Sequence, residues 1–326
     1  MSATGNYAPI VLFVYNRPEH TRRTVEALRA NCLAPQNRLF VFADGPKNDG
    51  ARPAVDEVRR YVASIDGFAS VEVTASEGNR GLAASVIAGV TRIVEEFGRV
   101  IVLEDDLITS PCFLDYMNEA LEFYKDAENV ASVNAYMYPM KNLPDYFFLR
   151  CADTWGWGTW KRAWRYFEPD GEKLQEELAR QNLNDVLDFY SKCKTYSKML
   201  KEQIEGKNDS WGVRWAASVL IKGKLGLYPG RSLVQNIGFD GTGYHCGNVL
   251  NSEVYGLSVA QTLPLKSFPK PFYDKMSCIK IGKYMEQYIN PPCKANASSF
   301  LRFCAKNILK FLGVYDFYVR KYRKSQ

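Results

Sequence analysis

The stretch Val100-Ile101-Val102-Leu103-Glu104-Asp105-Asp106 decides how the chain reads. Its aliphatic residues, Val100, Ile101 and Val102 among them β-branched, suit a buried strand. Three acids follow without a break. Carboxylates just past the C-terminal end of a strand stand where open α/β sheets bind their ligands. Neighbouring carboxylates repel each other unless a cation neutralises them. Oxygen ligands of this kind suit Mg²⁺ or Mn²⁺ carrying a substrate phosphate. The bland alternative is acids placed to favour a helix N-terminus. It fits less well, because Leu107-Ile108-Thr109 separate them from Ser110, the expected cap of the next helix.

Outward from this stretch the first half of the chain alternates. Strands are expected at Ile10–Tyr15, Leu39–Ala43, Val71–Thr74, Val100–Leu103 and Ala131–Ala135. Helices are expected at Pro18–Leu28, Pro53–Ser64 and Gly81–Phe97, and another opening at Ser110-Pro111. Such alternation implies an α/β fold with a mostly parallel central sheet flanked by helices. The second half is less regular: residues 171–205 read as helical, Asp209–Ile221 as a short helix, and Leu225–Tyr228 and Leu233–Val234 as short strands. Residues 238–275 are rich in Gly, Pro and Ser and read as loops.

Composition bounds the rest. The chain of 326 residues carries a net charge of +6 and the apolar fraction of a globular protein. Its eight cysteines form no C-x-x-C pair, so neither a zinc cluster nor a redox motif is indicated. The polar start leads to no expected signal peptide, no stretch is long enough for a membrane span, and a cytoplasmic setting is expected. Residues 299–326 hold seven Lys and Arg against Asp316 alone, so the body is formally neutral and no nucleic-acid partner is expected. In that tail Leu301, Cys304, Ile308, Phe311, Tyr315, Tyr318 and Tyr322 recur at spacings of three and four. This is the pattern of a basic amphipathic helix at a membrane surface, peripheral on its inner face; packing on the protein's own body is the alternative.

Other residues carry candidate chemistry. Tyr15-Asn16-Arg17 ends the first strand, where Arg17 could meet a base or a phosphate. Asp44 ends the second strand and could accept from a nucleobase or a ribose hydroxyl, although Asp44-Gly45-Pro46 is also strong turn chemistry. Asn79-Arg80-Gly81 precedes the long helix and could bring backbone N–H groups and Arg80 toward a diphosphate. Neither G-x-G-x-x-G nor a Walker sequence occurs. Trp155-Gly156-Trp157 could offer indole faces to a sugar, or could bury them in the core. Asp209 is a candidate general base and equally a candidate N-cap. His245 is a candidate to touch the metal or phosphate, with a purely structural or exposed histidine as the alternative.

Taken in order, these motifs resemble the GT-A glycosyltransferases, most nearly the inverting N-acetylglucosaminyltransferase I type, with affinities to glycosyltransferase family 2. The matches run from Tyr15-Asn16-Arg17 through Phe42-Ala43-Asp44-Gly45, Glu104-Asp105-Asp106, Trp155-Gly156-Trp157 and Asn208-Asp209-Ser210-Trp211 to Gly243-Tyr244-His245. The resemblance implies a GT-A nucleotide-binding fold over 1–250, with a nucleotide half at about 1–136 and an acceptor half at about 137–250. A loop-rich connector at 251–298 and the basic helix at 299–326 would follow. It implies a metal-dependent inverting transfer of a hexosyl or N-acetylhexosaminyl group. The donor would be a nucleotide sugar, UDP-linked, and the acceptor a hydroxyl of a glycan or lipid-linked molecule, as in surface polysaccharide assembly. Tyr15, Arg17, Asp44, Arg80, Gly81, Glu104 and Asp105 would bind the nucleotide sugar. Asp106 would bind Mn²⁺ (or Mg²⁺), with His245 a further candidate ligand; Trp155, Gly156 and Trp157 would line the sugar and acceptor site; and Asp209 would be the base. One departure is Ser210, where that family has a second aspartate. Two other readings are a catalytically silent carbohydrate-binding or scaffold protein on the same fold and a sugar nucleotidyltransferase. The latter would want a Gly-rich phosphate loop after the first strand, which Tyr15-Asn16-Arg17-Pro18 lacks.

Overall fold

The computed structural model describes residues 7–239, 259–264 and 267–289. Candidates at His245 and in residues 299–326 lie outside these described residues. Among the described residues ten strands occur in chain order: β1 (Ile10–Val14), β2 (Arg38–Ala43), β3 (Ser70–Ala75), β4 (Arg99–Glu104), β5 (Leu107–Thr109), β6 (Val130–Asn134), β7 (Tyr146–Leu149), β8 (Trp157–Trp160), β9 (Leu225–Pro229) and β10 (Val234–Asn236). The helices are α1 (Pro18–Arg29), α2 (Arg52–Val62), α3 (Leu82–Phe97), α4 (Phe113–Phe123), α5 (Lys161–Trp164), α6 (Gly171–Arg180), α7 (Asn184–Leu187), α8 (Thr195–Ile204), α9 (Trp211–Ile221) and α10 (Lys275–Tyr284).

Eight strands form one sheet in the order β3-β2-β1-β4-β8-β6-β9-β7. The four on the β3 side are mutually parallel, as right-handed crossovers through α1, α2 and α3 require. Beyond β4 the sheet is mixed: β8 runs antiparallel to both β4 and β6, while β6 and β9 are parallel. Every residue of β1 is buried, as expected of a central strand with helices on both faces. In β4 burial lapses at its two ends, Arg99 and Glu104. The C-terminal ends of β1, β2 and β4 therefore open on one rim, and β10 pairs antiparallel with β5 just beyond it.

Two apolar clusters sit on this frame. The larger joins β1, β2 and β4 to α1, α3 and α4, and ends in an indole cluster of Trp157, Trp164, Trp211 and Trp215. The smaller packs Phe147, Leu149 and Tyr228 of the outer strands against α6, α8, α9 and α10. Where the sequence suggests a helix opening at Ser110-Pro111, α4 starts at Phe113 instead, and the Ser110 hydroxyl is engaged by the Ala260 carbonyl. Among the described residues no helix is long and apolar enough to cross a membrane.

Candidate active site

The acidic stretch ends β4 and turns directly into β5, so Asp105 and Asp106 occupy the turn at the sheet rim. Arg17 stands at the end of β1 as the N-cap of α1, with Pro18 in the first turn. The register of β1 on β4, Phe13 opposite Glu104, brings that strand end alongside the acids. The Arg17 guanidinium bridges both aspartates through Nη2, bonding Asp105 and lying 2.9 Å from Asp106 Oδ2. Thr24 of α1 donates to the Asp105 carbonyl at 2.8 Å, which ties the turn to the helix.

Charge in this corner is partly balanced. Burial alone would lower the Arg17 pKa, but the charges of Asp105 and Asp106 more than reverse it, so the guanidinium is held charged. Burial pushes the Asp105 carboxyl up, while Arg17 and a backbone N–H from Tyr15 pull it back. Glu104 lacks such a close counter-charge: burial, together with the charges of Asp106 and Asp105, pushes it up to about 8.

The strand β10 closes the corner from the other side. Ile237 N–H donates to the Asp106 carbonyl at 2.8 Å, and Gly238 N–H to Asn236 Oδ1 at 2.7 Å. Gly238 lies so close that a Cβ there would overlap Asp106 Oδ2 and stand 3.1 Å from Arg17 Nη1. That Nη1 is buried without a hydrogen-bond partner among the described residues, so a donor is left with its capacity unused at the rim. Asn236 and Gly238 were not legible as site residues, because only the antiparallel pairing of β10 on β5 brings them to the acids.

Asp44 ends β2 and is almost fully buried. Its Oδ1 accepts from the amides of Gly45 and Arg80, each at 2.8 Å. Its Oδ2 accepts from Asn79 Nδ2 at 3.0 Å and the Gly81 amide at 2.9 Å. Four donors use the capacity of one carboxylate, so the first task of Asp44 is to anchor the turn that leads into α3. Gly81 is the N-cap residue of α3, and Arg80 is exposed beside it. A pocket of about 180 Å³ opens here, lined by Phe42, Asp44, Ser76, Arg80, Ser85 and Arg92 among others. Tyr15 borders the same rim; its hydroxyl accepts from the Lys47 amide at 3.1 Å. A larger hollow, about 650 Å³, lies elsewhere, between α3 and α5 around Thr91, Lys161 and Trp164, and holds none of the candidate residues.

The three residues of the proposed aromatic wall part company. Trp155 is half-buried, edge-on to Tyr136 at 4.5 Å and to Phe239 at 5.6 Å, the latter next to Gly238. Gly156 takes φ +65°, and a Cβ there would lie 2.7 Å from Val234 Cγ1 of β10, so its requirement is steric. Trp157 corrects the expectation for its indole: it is fully buried in β8, with its ring 5.5 Å from Trp211 and 5.8 Å from Trp164. It is core, because its place in a strand between β4 and β6 leaves it no open face.

Asp209 precedes α9 but does not cap it: the Ser210 hydroxyl accepts from the Val213 amide. Asp209 Oδ1 instead accepts from buried Arg214 at 2.7 Å, with the carboxylate 70% exposed. Gly212 packs against Thr154, whose Oγ1 would lie 3.1 Å from a Cβ at Gly212. The start of α9 therefore lies alongside the turn that carries Trp155. Asp153 opens this turn, a carboxylate at the head of the aromatic stretch to which sequence reasoning gave no role. Burial pushes it up to about 6, against the pull of the Trp155 and Thr154 amides.

For a metal ion the donor set is spare. No group of three or more His, Cys, Asp or Glu side chains is arranged to hold one among the described residues. Asp105 and Asp106 fit Mg²⁺ or Mn²⁺ in the mode where protein carboxylates supply one or two ligands and substrate phosphates and waters the remainder.

Residues 10–202 match the family model described as glycosyl transferase family 2. Nothing among the curated proteins matches. Among solved structures, a mannose-1-phosphate geranyltransferase from Thermus thermophilus is similar at a TM-score of 0.32 and 14% identity, over 68% of this chain and 73% of that one.

Proposed function

We propose that this chain, which belongs to glycosyl transferase family 2, moves a hexosyl or N-acetylhexosaminyl group from a UDP-linked donor to a hydroxyl of a glycan or lipid-linked acceptor, with inversion at the anomeric carbon. Family membership makes the chain a glycosyltransferase that pairs a nucleotide-sugar donor with an acceptor. The observation that best supports the finer reading is the meeting of Arg17, Asp105 and Asp106 at the rim of the parallel strands, with Arg17 Nη1 beside them unpartnered among the described residues.

Each residue then has a task. The pocket beside Asp44 takes the base, and Asp44 fixes the Asn79–Gly81 turn that frames it. Arg80 and the N-terminus of α3 offer positive charge to the diphosphate. Tyr15 and Arg17 border the nucleoside, and Glu104 and Asp105 lie toward the ribose. Asp106 would hold Mn²⁺ or Mg²⁺, which supplies charge against that growing on the leaving diphosphate. Trp155 packs on the C–H face of the sugar or acceptor. Asp209 takes the proton of the attacking hydroxyl, and the fold holds both substrates in line. Surface polysaccharide or glycoconjugate assembly is the setting that a lipid-linked acceptor would give it, with residues 299–326 on the membrane surface.

The test is nucleoside diphosphate release from a panel of UDP-, GDP- and dTDP-sugars with Mn²⁺, with and without glycan acceptors. Release confined to UDP-sugars and stimulated by an acceptor is expected; none from any donor overturns the reading. Asp209→Asn should bind donor as the parent does and lose about 10²–10⁴-fold in turnover, the usual contribution of a general base. Retained turnover in that variant removes Asp209 from the role.

A further inference from the structure

We infer that the outer face of α10, with the Phe272 turn before it and Tyr190 beside it, is a docking surface for an anionic lipid bilayer. Large apolar side chains are exposed here: Phe272 is 64% exposed and Met276 65%, the two highest values among the large exposed hydrophobics of the described residues. They stand four residues apart, and Lys280 and Lys283 continue the same helical face. Lys275 lies 5.3 Å over the ring of Tyr190, which is itself 38% exposed. Tyr190 and its neighbour Phe189 both adopt left-handed backbone, at φ 57° and 55°. The loop is held against α10 by the close approach of Gly282 to the Phe189 carbonyl.

The two acids that flank α10 are hydrogen-bonded, and exposed Asp185 next to Tyr190 is paired with Lys194. Asp274 caps α10, accepting from the amide and hydroxyl of Ser277. Glu286 accepts from the Lys192 amide. Lys270, Lys275, Lys280 and Lys283 therefore give the face its charge, and Lys280 spends one donor on the Asn142 carbonyl. Exposed aromatic and thioether side chains ringed by lysines suit the boundary between headgroups and acyl chains.

The distribution of charge over the whole chain points the same way. Residues 267–326 hold twelve Lys and Arg against three acids, more than the net charge of the entire chain, so the remainder is slightly acidic. Among the described residues of this stretch Lys270, Lys275, Lys280 and Lys283 stand against Asp274 and Glu286, and this local excess of positive charge is complementary to anionic lipid. The inference extends the membrane reading of residues 299–326 to a surface that α10 builds, and does not depend on the transfer reaction.

Co-sedimentation of the full chain with vesicles of phosphatidylglycerol and phosphatidylcholine tests it. The parent should bind mixed vesicles, bind pure phosphatidylcholine at least about tenfold more weakly, and release as salt rises. Phe272→Ser/Met276→Ser and, separately, Lys275→Glu/Lys283→Glu should each cut binding about tenfold or more with melting temperature unchanged. Glutamates at Lys321, Arg323 and Lys324 separate the tail from the face. Unchanged vesicle binding in both face variants overturns the inference even if the tail variant loses binding, and so does equal binding to the two lipid compositions. Nucleotide release by the face variants reports on the transferase reading separately.

Discussion

Asp153 shows how a single side chain can be structural and titratable together. Its Oδ1 accepts from the amides of Thr154 and Trp155 at 2.7 and 2.9 Å, closing the turn that carries Trp155. Burial nevertheless pushes its pKa up to about 6. A carboxyl whose folded pKa exceeds its unfolded value holds its proton more tightly when folded. Stability is therefore lost as pH rises from the unfolded pKa, about 3.9, through the folded one. Asp153→Asn keeps an oxygen for the two amides and removes the titration. The variant should gain on the parent by on the order of 1–3 kcal/mol between pH 4 and 7. Thermal melts of both proteins at pH 4.5 and 7.5 read this directly, and an identical gap at the two pH values would refute it. Glu104 is a second such group: burial, with the like charges of Asp106 and Asp105, pushes its carboxyl up to about 8.

At the level of elements, legibility followed how local the signal was. β1, β2, β4 and β6 are aliphatic runs bounded by turn residues, and their ends fall within a residue or two of expectation. β8 was unreadable because Trp157-Gly158-Thr159-Trp160 looks like a glycine turn. Its glycine is required by packing, since a Cβ at Gly158 would meet Met117 Cε at 2.9 Å. β7 and β5 are short, and β5 starts directly after the acids, where a loop is the natural reading. The acids and Arg17 could be picked out singly, but their ion pair follows from the register of β1 on β4. A short strand was expected at Leu233–Val234, but not the pairing of β10 on β5 that places Gly238 on Asp106. This makes a specific demand on backbone volume. Gly238→Ala must move either Asp106 or the β10 corner, and overpacking of this kind costs about 1–3 kcal/mol. A lower melting temperature together with at least about tenfold weaker UDP binding is expected, because a distortion of about 1.4 kcal/mol at the site is a factor of ten. Should the variant melt and bind as the parent does, the corner is not part of the site.

In the molecule as a whole the candidate residues come from segments that are distant in the chain: the end of β1, the turn after β2, the acids after β4, the turn before β8 and the return of β10. No one of these supplies a complete set of cation ligands. Arg17 already bonds both aspartates, which weakens their attraction for a free divalent ion. A diphosphate would bring both the missing oxygens and the missing negative charge. Ion and nucleotide should therefore bind as a coupled pair. Titration of the full chain with Mn²⁺ alone should give little heat at micromolar concentration, and Mn²⁺ with saturating UDP a clear isotherm. The coupling is reciprocal, so Mn²⁺ must tighten UDP by the same factor that UDP tightens Mn²⁺, at least about tenfold, or roughly 1.4 kcal/mol. Asp106→Ala should abolish the coupling while leaving metal-free UDP binding near its parent value, because the proposed reading puts the base in the pocket beside Asp44. Tight Mn²⁺ binding without nucleotide would mean that the protein supplies a full ligand set after all. UDP binding indifferent to Mn²⁺ would mean that Arg17 and the α3 N-terminus carry the diphosphate unaided.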